Sequence, residues 1–290
     1  MTTVNPIPPP ASWLGQASNR MGESVHCFGP GLVGVLHHPR AAVAQRTAVI
    51  LMNAGLVHRI GPFRSYVLLA RVLAAAGFPV LRFDQGGLGD SAASKLGSVE
   101  RRQGEITAAM SLLVATGEAD RFVLGGICSG ADDAFLLAGL ETRVVGLILL
   151  DGLAYRTLGF WWRHLLAKLR MRDRWKRLLR LRWRLAMDEY REHPSRAEAA
   201  KQLARLVARD VRLLLLYTGG SERYFNYRGQ LSACLGRAAC ARQVTLELWK
   251  DCDHTFYLQR DRQRLQQTLV SWMQREFGSD DESSPPRREG

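Results

Sequence analysis

The sequence predicts an α/β protein: a mostly parallel central sheet flanked by helices. Short continuous apolar runs, such as 47–52 and 144–150, alternate with stretches of helical periodicity. The runs are apolar at successive positions, as in strands buried on both faces. A glycine-rich turn, Gly125 to Gly130, follows one run and precedes a helical stretch, so a functional turn at a strand end is expected.

Taken in order, residues 1–22 are proline-rich and read as a flexible tail. Residues 23–39 place Val, Phe and Leu between glycines, as in an opening strand pair. A strand at 47–52 is followed by a helix at 63–76, with Gly77 as its closing residue. Then come a strand at 79–83, a helix at 99–116, a strand at 121–124, a helix at 131–140 and a strand at 144–150. Residues 155–208 break the alternation with a long helical insertion, read as a cap. Strands at 211–217 and 244–249 follow, then a helix at 256–277 with Leu258, Leu265, Leu269, Trp272, Met273 and Phe277 on one side. Residues 279–290 are polar and read as a disordered tail. The expected organisation is a core of 23–154 and 209–278 interrupted by the cap.

The chain has 290 residues, 47% hydrophobic and 23% charged, the composition of a globular protein with a sizeable core. No secretory leader or apolar segment of about 18 residues is evident, so a cytoplasmic location is the default expectation. The five cysteines are odd in number and lack a CxxC pair, which argues against a disulfide framework or a zinc site. No metal or cofactor is expected. The net charge of +13 is uneven: residues 161–184 hold ten Lys/Arg and one acid, Asp173, supplying +9.

Chemistry is expected where strands end. In Gly126-Ile127-Cys128-Ser129-Gly130, small residues stand two before and two after Cys128. A nucleophile held in a strained strand-to-helix turn needs that spacing, because larger side chains would strike the neighbouring strand and helix. If Ser129 were the nucleophile, Ile127 would occupy a position that wants a small residue. The helix that follows favours thiolate at its N-terminus. A small buried cysteine in a tight turn is the plainer alternative. His254, after the last strand, is the candidate base. Glu222, after the strand at 211–217, is the candidate orienting acid, with Asp151 as the alternative. The oxyanion donors are expected to be the backbone N–H groups of Ser129 and Leu56.

Together these residues resemble the α/β-hydrolase superfamily, in its serine-aminopeptidase-like and lysophospholipase-like branch. Asn53-Ala54-Gly55 resembles the family's His-Gly oxyanion segment with the histidine absent. Asp84-Gln85-Gly86-Gly87-Leu88-Gly89-Asp90-Ser91 resembles its Asp-x-x-Gly-x-Gly-x-Ser loop. The resemblance spans roughly 24–277. Cysteine at the nucleophile position is similar to dienelactone hydrolases and polyhydroxyalkanoate synthases. The run from Asn53 to Gly61 also resembles hydrolases associated with exosortase systems.

The resemblance implies an α/β-hydrolase fold with a cap, acting on a small-molecule acyl substrate. A thiolate is a good leaving group, so esters, lactones or thioesters are expected rather than peptides. An acyltransferase on the same triad and a non-catalytic hydrolase-fold protein in polysaccharide or lipid assembly are the competing readings. In the insertion, Trp and Leu interleave with the basic residues. This is either a solvated basic face or a surface that touches an anionic membrane or lipid-like substrate. No nucleic-acid recognition motif is present.

Overall fold

A computed structural model describes residues 22–39, 44–94, 96–170 and 194–278. Except for Gly22, both expected tails lie outside these residues, as does 171–193 of the insertion.

The apolar runs form one eight-stranded sheet. Its strands are β1 (Glu23–Phe28), β2 (Leu32–His37), β3 (Thr47–Leu51), β4 (Val80–Phe83), β5 (Arg121–Ile127), β6 (Val144–Leu150), β7 (Arg212–Thr218) and β8 (Val244–Trp249). The spatial order is β1-β2-β4-β3-β5-β6-β7-β8. β1 pairs antiparallel with β2, and β2 with β4; every later pairing is parallel.

The helices are α1 (Ser65–Ala75), α2 (Ser98–Ala115), α3 (Ser129–Ala138), α4 (Leu158–Arg170), α5 (Arg196–Ala208), α6 (Gln230–Leu235) and α7 (Gln259–Phe277). Strand alternation explains why they divide into two layers. In β3, Ala48 and Ile50 face one core while Val49 and Leu51 face the other. The first core is completed by α2, α3 and α5 through residues such as Met110, Phe135 and Leu203. The second is completed by α1 and α7 through Tyr66, Leu73, Leu269 and Trp272. Each large side chain so buried contributes about 1.5–3 kcal/mol relative to exposure. With strands buried on both faces, the sheet fixes its strand ends, and these hold the candidate site.

Several boundaries differ from expectation. α1 begins two residues late because Phe63 and Arg64 adopt positive φ of 49° and 61°, outside the helical region. α7 begins at Gln259 because the Asp253 carboxylate accepts the N–H groups of Thr255 and Tyr257, at 2.8 Å each, in a local turn. The insertion also divides. α5, expected in the cap, buries Ala199, Leu203 and Leu206 in the first core and serves as the crossover between β6 and β7. Its Ser195–Glu198 capping box fixes where it starts. No helix among the described residues is long and apolar enough to cross a membrane.

Candidate active site

Cys128 lies between β5 and α3 with φ 58° and ψ −120°, a region that non-glycine residues rarely occupy. Its N–H donates to Leu150 O at 2.8 Å, continuing the sheet ladder to the last possible residue. The preceding Ile127 N–H donates to the buried Tyr66 hydroxyl at 2.9 Å, which pins the turn from α1. The glycine spacing has a direct steric cause. A Cβ on Gly126 would stand 2.5 Å from the Gly130 carbonyl carbon, and one on Gly130 would stand 2.4 Å from Asn53 O. The elbow is thus wedged between its own helix and the end of β3, and Cys128 is left half-buried at the tip.

His254 stands in the loop after β8 and hydrogen-bonds to Cys128. Its Nδ1 lies 2.7 Å from Asp151 Oδ2. The Asp151 hydrogen bond comes first in pushing the imidazole up to about 10, with the Cys128 bond next and burial opposing both. Room for the ring comes from Gly220, where a Cβ would meet His254 Cβ at 2.5 Å.

Asp151 is wholly buried at the end of β6, with φ 49°. Its Oδ1 accepts Thr218 N–H at 2.7 Å and its Oδ2 accepts the Thr218 hydroxyl at 2.6 Å. The backbone N–H of Asp151 donates to Leu216 O at 2.8 Å, and its carbonyl accepts the Tyr224 hydroxyl at 2.9 Å. A carboxylate so fixed holds a set direction toward the histidine.

The acid beside His254 is therefore Asp151 and not Glu222. Glu222 is exposed, and its carboxylate makes no hydrogen bond among the described residues. The reason is local. Gly219 to Ser221 form a tight 3-10 turn that carries the chain outward before Glu222, while Thr218 draws the Asp151 side chain across from the adjacent strand. Thr218 itself was not singled out from the sequence. Its only sequence signal is a polar residue closing an apolar strand.

Ser129 opens α3, so its N–H belongs to the first turn, where helical N–H groups lack intrahelical acceptors. Its hydroxyl accepts the Gly55 N–H at 2.9 Å. The loop after β3 therefore reaches the elbow through Gly55, one residue before the expected Leu56. A tight turn closed by Val57 N–H to Ala54 O at 3.1 Å puts Gly55 at φ 59° and leaves Leu56 at the outer tip, 90% exposed.

The loop is held by buried Asp84. Its carboxylate accepts Arg59 N–H at 2.6 Å and Asn53 Nδ2 at 3.3 Å, and pairs with the Arg59 guanidinium. Asn53 Oδ1 in turn accepts Gln85 N–H at 2.7 Å, and the Ser91 hydroxyl donates to Asp84 O at 2.6 Å. A Cβ on Gly89 would overlap the Asp84 carboxylate, which accounts for glycine there.

Two of the remaining thiols lie in buried settings. Burial pushes Cys252 up to about 12 and raises Cys234, both unfavourable to thiolate.

No family model matches the sequence, and no curated protein matches it. Solved structures do share the fold. A Pyrococcus furiosus esterase is 14% identical, with a TM-score of 0.61 over 89% of this chain and 93% of that one. The esterase domain of a Rhodothermus marinus protein is 16% identical, with a TM-score of 0.56 over 87% and 98%. A dienelactone hydrolase from Anabaena variabilis is 14% identical, with a TM-score of 0.52 over 88% and 98%. The chain therefore has an α/β-hydrolase fold.

Proposed function

We propose that the protein hydrolyses ester or thioester bonds through a Cys128–His254–Asp151 triad. The observation that carries this reading is the position of His254, hydrogen-bonded to Cys128 on one side and to buried Asp151 on the other. That is the nucleophile–base–acid chain of acyl transfer, recognised by geometry and not by chain order.

In the proposed cycle Cys128 passes its proton to His254, whose cationic form Asp151 stabilises. The sulfur attacks the acyl carbonyl, an S–C bond forms, and the carbonyl electron pair moves to oxygen. The N–H of Ser129 receives that oxyanion, joined by the N–H of Gly55 once it leaves the Ser129 hydroxyl. Collapse breaks the bond to the leaving group, which takes the proton from His254. Water then gives a proton to His254 and attacks the thioester, and the acid departs as the sulfur regains its electron pair. Thiolate leaves a tetrahedral carbon more readily than an amide nitrogen does, so esters and thioesters are favoured over peptides.

The test is intact-mass analysis after incubation with a set of activated esters and thioesters. An acyl adduct on Cys128, absent from Cys128→Ala and retained in Ser129→Ala, supports the assignment. Full turnover by Cys128→Ala overturns it. Adding alcohol or amine acceptors separates hydrolysis from acyl transfer, because transfer yields a product other than the free acid. A chain that reacts with neither esters nor thiol probes is a non-catalytic scaffold.

A further inference from the structure

Helix α4 inverts the usual amphipathic arrangement. Its large apolar residues Leu158, Trp161, Trp162, Leu165 and Leu166 recur at spacings of three and four, which aligns them in one stripe. Such a stripe ordinarily faces the core. Among the described side chains of α4, the buried one is Phe160, on the opposite side, 1% exposed. The five stripe residues face outward at 83%, 52%, 65%, 48% and 49% exposure. An exposed apolar surface of this kind marks an interaction site.

The stripe is firmly mounted. Phe160 O accepts Asn226 Nδ2 at 3.2 Å, the Thr157 hydroxyl lies 3.1 Å from the Tyr227 hydroxyl, and Arg163 stacks 4.0 Å from the Tyr227 ring centre. Residues 226 and 227 belong to the loop that leaves β7 just beyond Thr218 and Gly220, the partners of Asp151 and His254. The stripe therefore stands at the same sheet edge as Cys128. Described cations stand beside it: Arg156 lies over the rings of Phe160 and Trp161, and Arg163 over that of Tyr227. The sequence that continues from the stripe is basic as well, with ten Lys/Arg against one acid between Trp161 and Arg184.

We propose that α4 is an interfacial helix that seats the protein on an anionic lipid surface. The stripe enters the boundary between headgroups and acyl chains, where tryptophan is favoured, and the cations meet the lipid phosphates. Charge chooses this occupant. A second copy would set one cationic face against another, whereas an anionic bilayer matches both the apolar stripe and the charge around it. A soluble substrate pocket would not need five large side chains facing solvent.

The experiment is co-sedimentation of the full chain with vesicles of phosphatidylcholine alone or mixed with phosphatidylglycerol, followed also by tryptophan emission. The wild type should partition onto the mixed vesicles with a blue shift that weakens as salt rises. Trp161→Ser/Trp162→Ser/Leu165→Ser should lower partitioning by roughly tenfold or more, and Trp162→Ser alone by less. Turnover of a short water-soluble ester and labelling of Cys128 should be unchanged in both variants, which keeps this test separate from the triad. Absence of wild-type binding at low salt overturns the proposal. So does equal binding by the wild type and the single and triple variants, or a wild-type dimer that the stripe substitutions dissociate.

Discussion

Exchange of Asp151 for asparagine isolates the part of the site that chain order conceals. The Asp151 carboxylate accepts hydrogen bonds from Thr218 at 2.6 and 2.7 Å and from His254 at 2.7 Å. Asparagine has one acceptor oxygen and one amide group, so one of the two oxygen positions must become a donor. If the amide replaces Oδ1 it faces the Thr218 N–H, donor against donor. If it replaces Oδ2 it faces His254 Nδ1 and forces the tautomer whose Nε2 carries a proton and cannot take one from Cys128. The charge-assisted bond to the imidazolium is worth about 1.5–3 kcal/mol, or roughly 10- to 150-fold in rate. With the wrong tautomer included, the loss in kcat approaches the roughly 10⁴-fold found for the corresponding change in a serine triad. The assay is hydrolysis of an activated aryl ester beside Glu222→Gln, with circular dichroism as the check on folding. Asp151→Asn should lose between about 10² and 10⁴ in kcat, while Glu222→Gln stays within about twofold because its carboxylate is solvated. A larger loss in Glu222→Gln than in Asp151→Asn would refute the reasoning.

Other outcomes follow from the same geometry. Gly130→Ala places a Cβ 2.4 Å from Asn53 O, a backbone atom that cannot step aside, so denaturant titration should show a loss of about 1–3 kcal/mol. Tyr66→Phe removes the hydroxyl that accepts the Ile127 N–H; leaving that buried donor unsatisfied should cost about 1–3 kcal/mol and lower kcat through a loosened elbow. His254 is pushed above its ordinary 6.5 to about 10, so its protonation stabilises the fold fully below pH 6.5, and that contribution fades as pH rises through about 10. NMR titration of the imidazole C–H resonances should find that high midpoint in the wild type and a lower one in Asp151→Asn, since the Asp151 bond is its largest cause.

The sheet was legible because both of its faces are covered. Runs such as those of β3 and β6 are apolar at every position, and a strand buried on two sides requires that pattern. The elbow was legible for a steric reason that acts over five residues, so local spacing alone separated Cys128 from Ser129. The carboxylate beside His254 was narrowed only to Glu222 or Asp151, because the choice depends on a contact between neighbouring strands. Thr218 lies 67 residues from Asp151, yet it sets the carboxylate's direction. Which residue of the loop after β3 meets the elbow was likewise not legible: the turn between Ala54 and Val57 brings Gly55, and not Leu56, to the Ser129 hydroxyl. α6 gave no sequence signal as a separate helix. It is short, and it is anchored by buried Gln230, whose amide donates to Tyr155 O at 3.0 Å and whose Oε1 accepts the Asn226 N–H at 3.0 Å.

The backbone at Cys128 also bears on how the protein endures heat. At φ 58° and ψ −120°, any side chain works against its own main chain, at a cost of about 1–3 kcal/mol that glycine would escape. Cys128→Gly should therefore melt higher than the wild type while performing no chemistry. A screen that selected only for thermal endurance would drift toward that variant and discard the sulfur. Under the proposed mechanism, melting temperature and turnover are expected to oppose each other at this one residue.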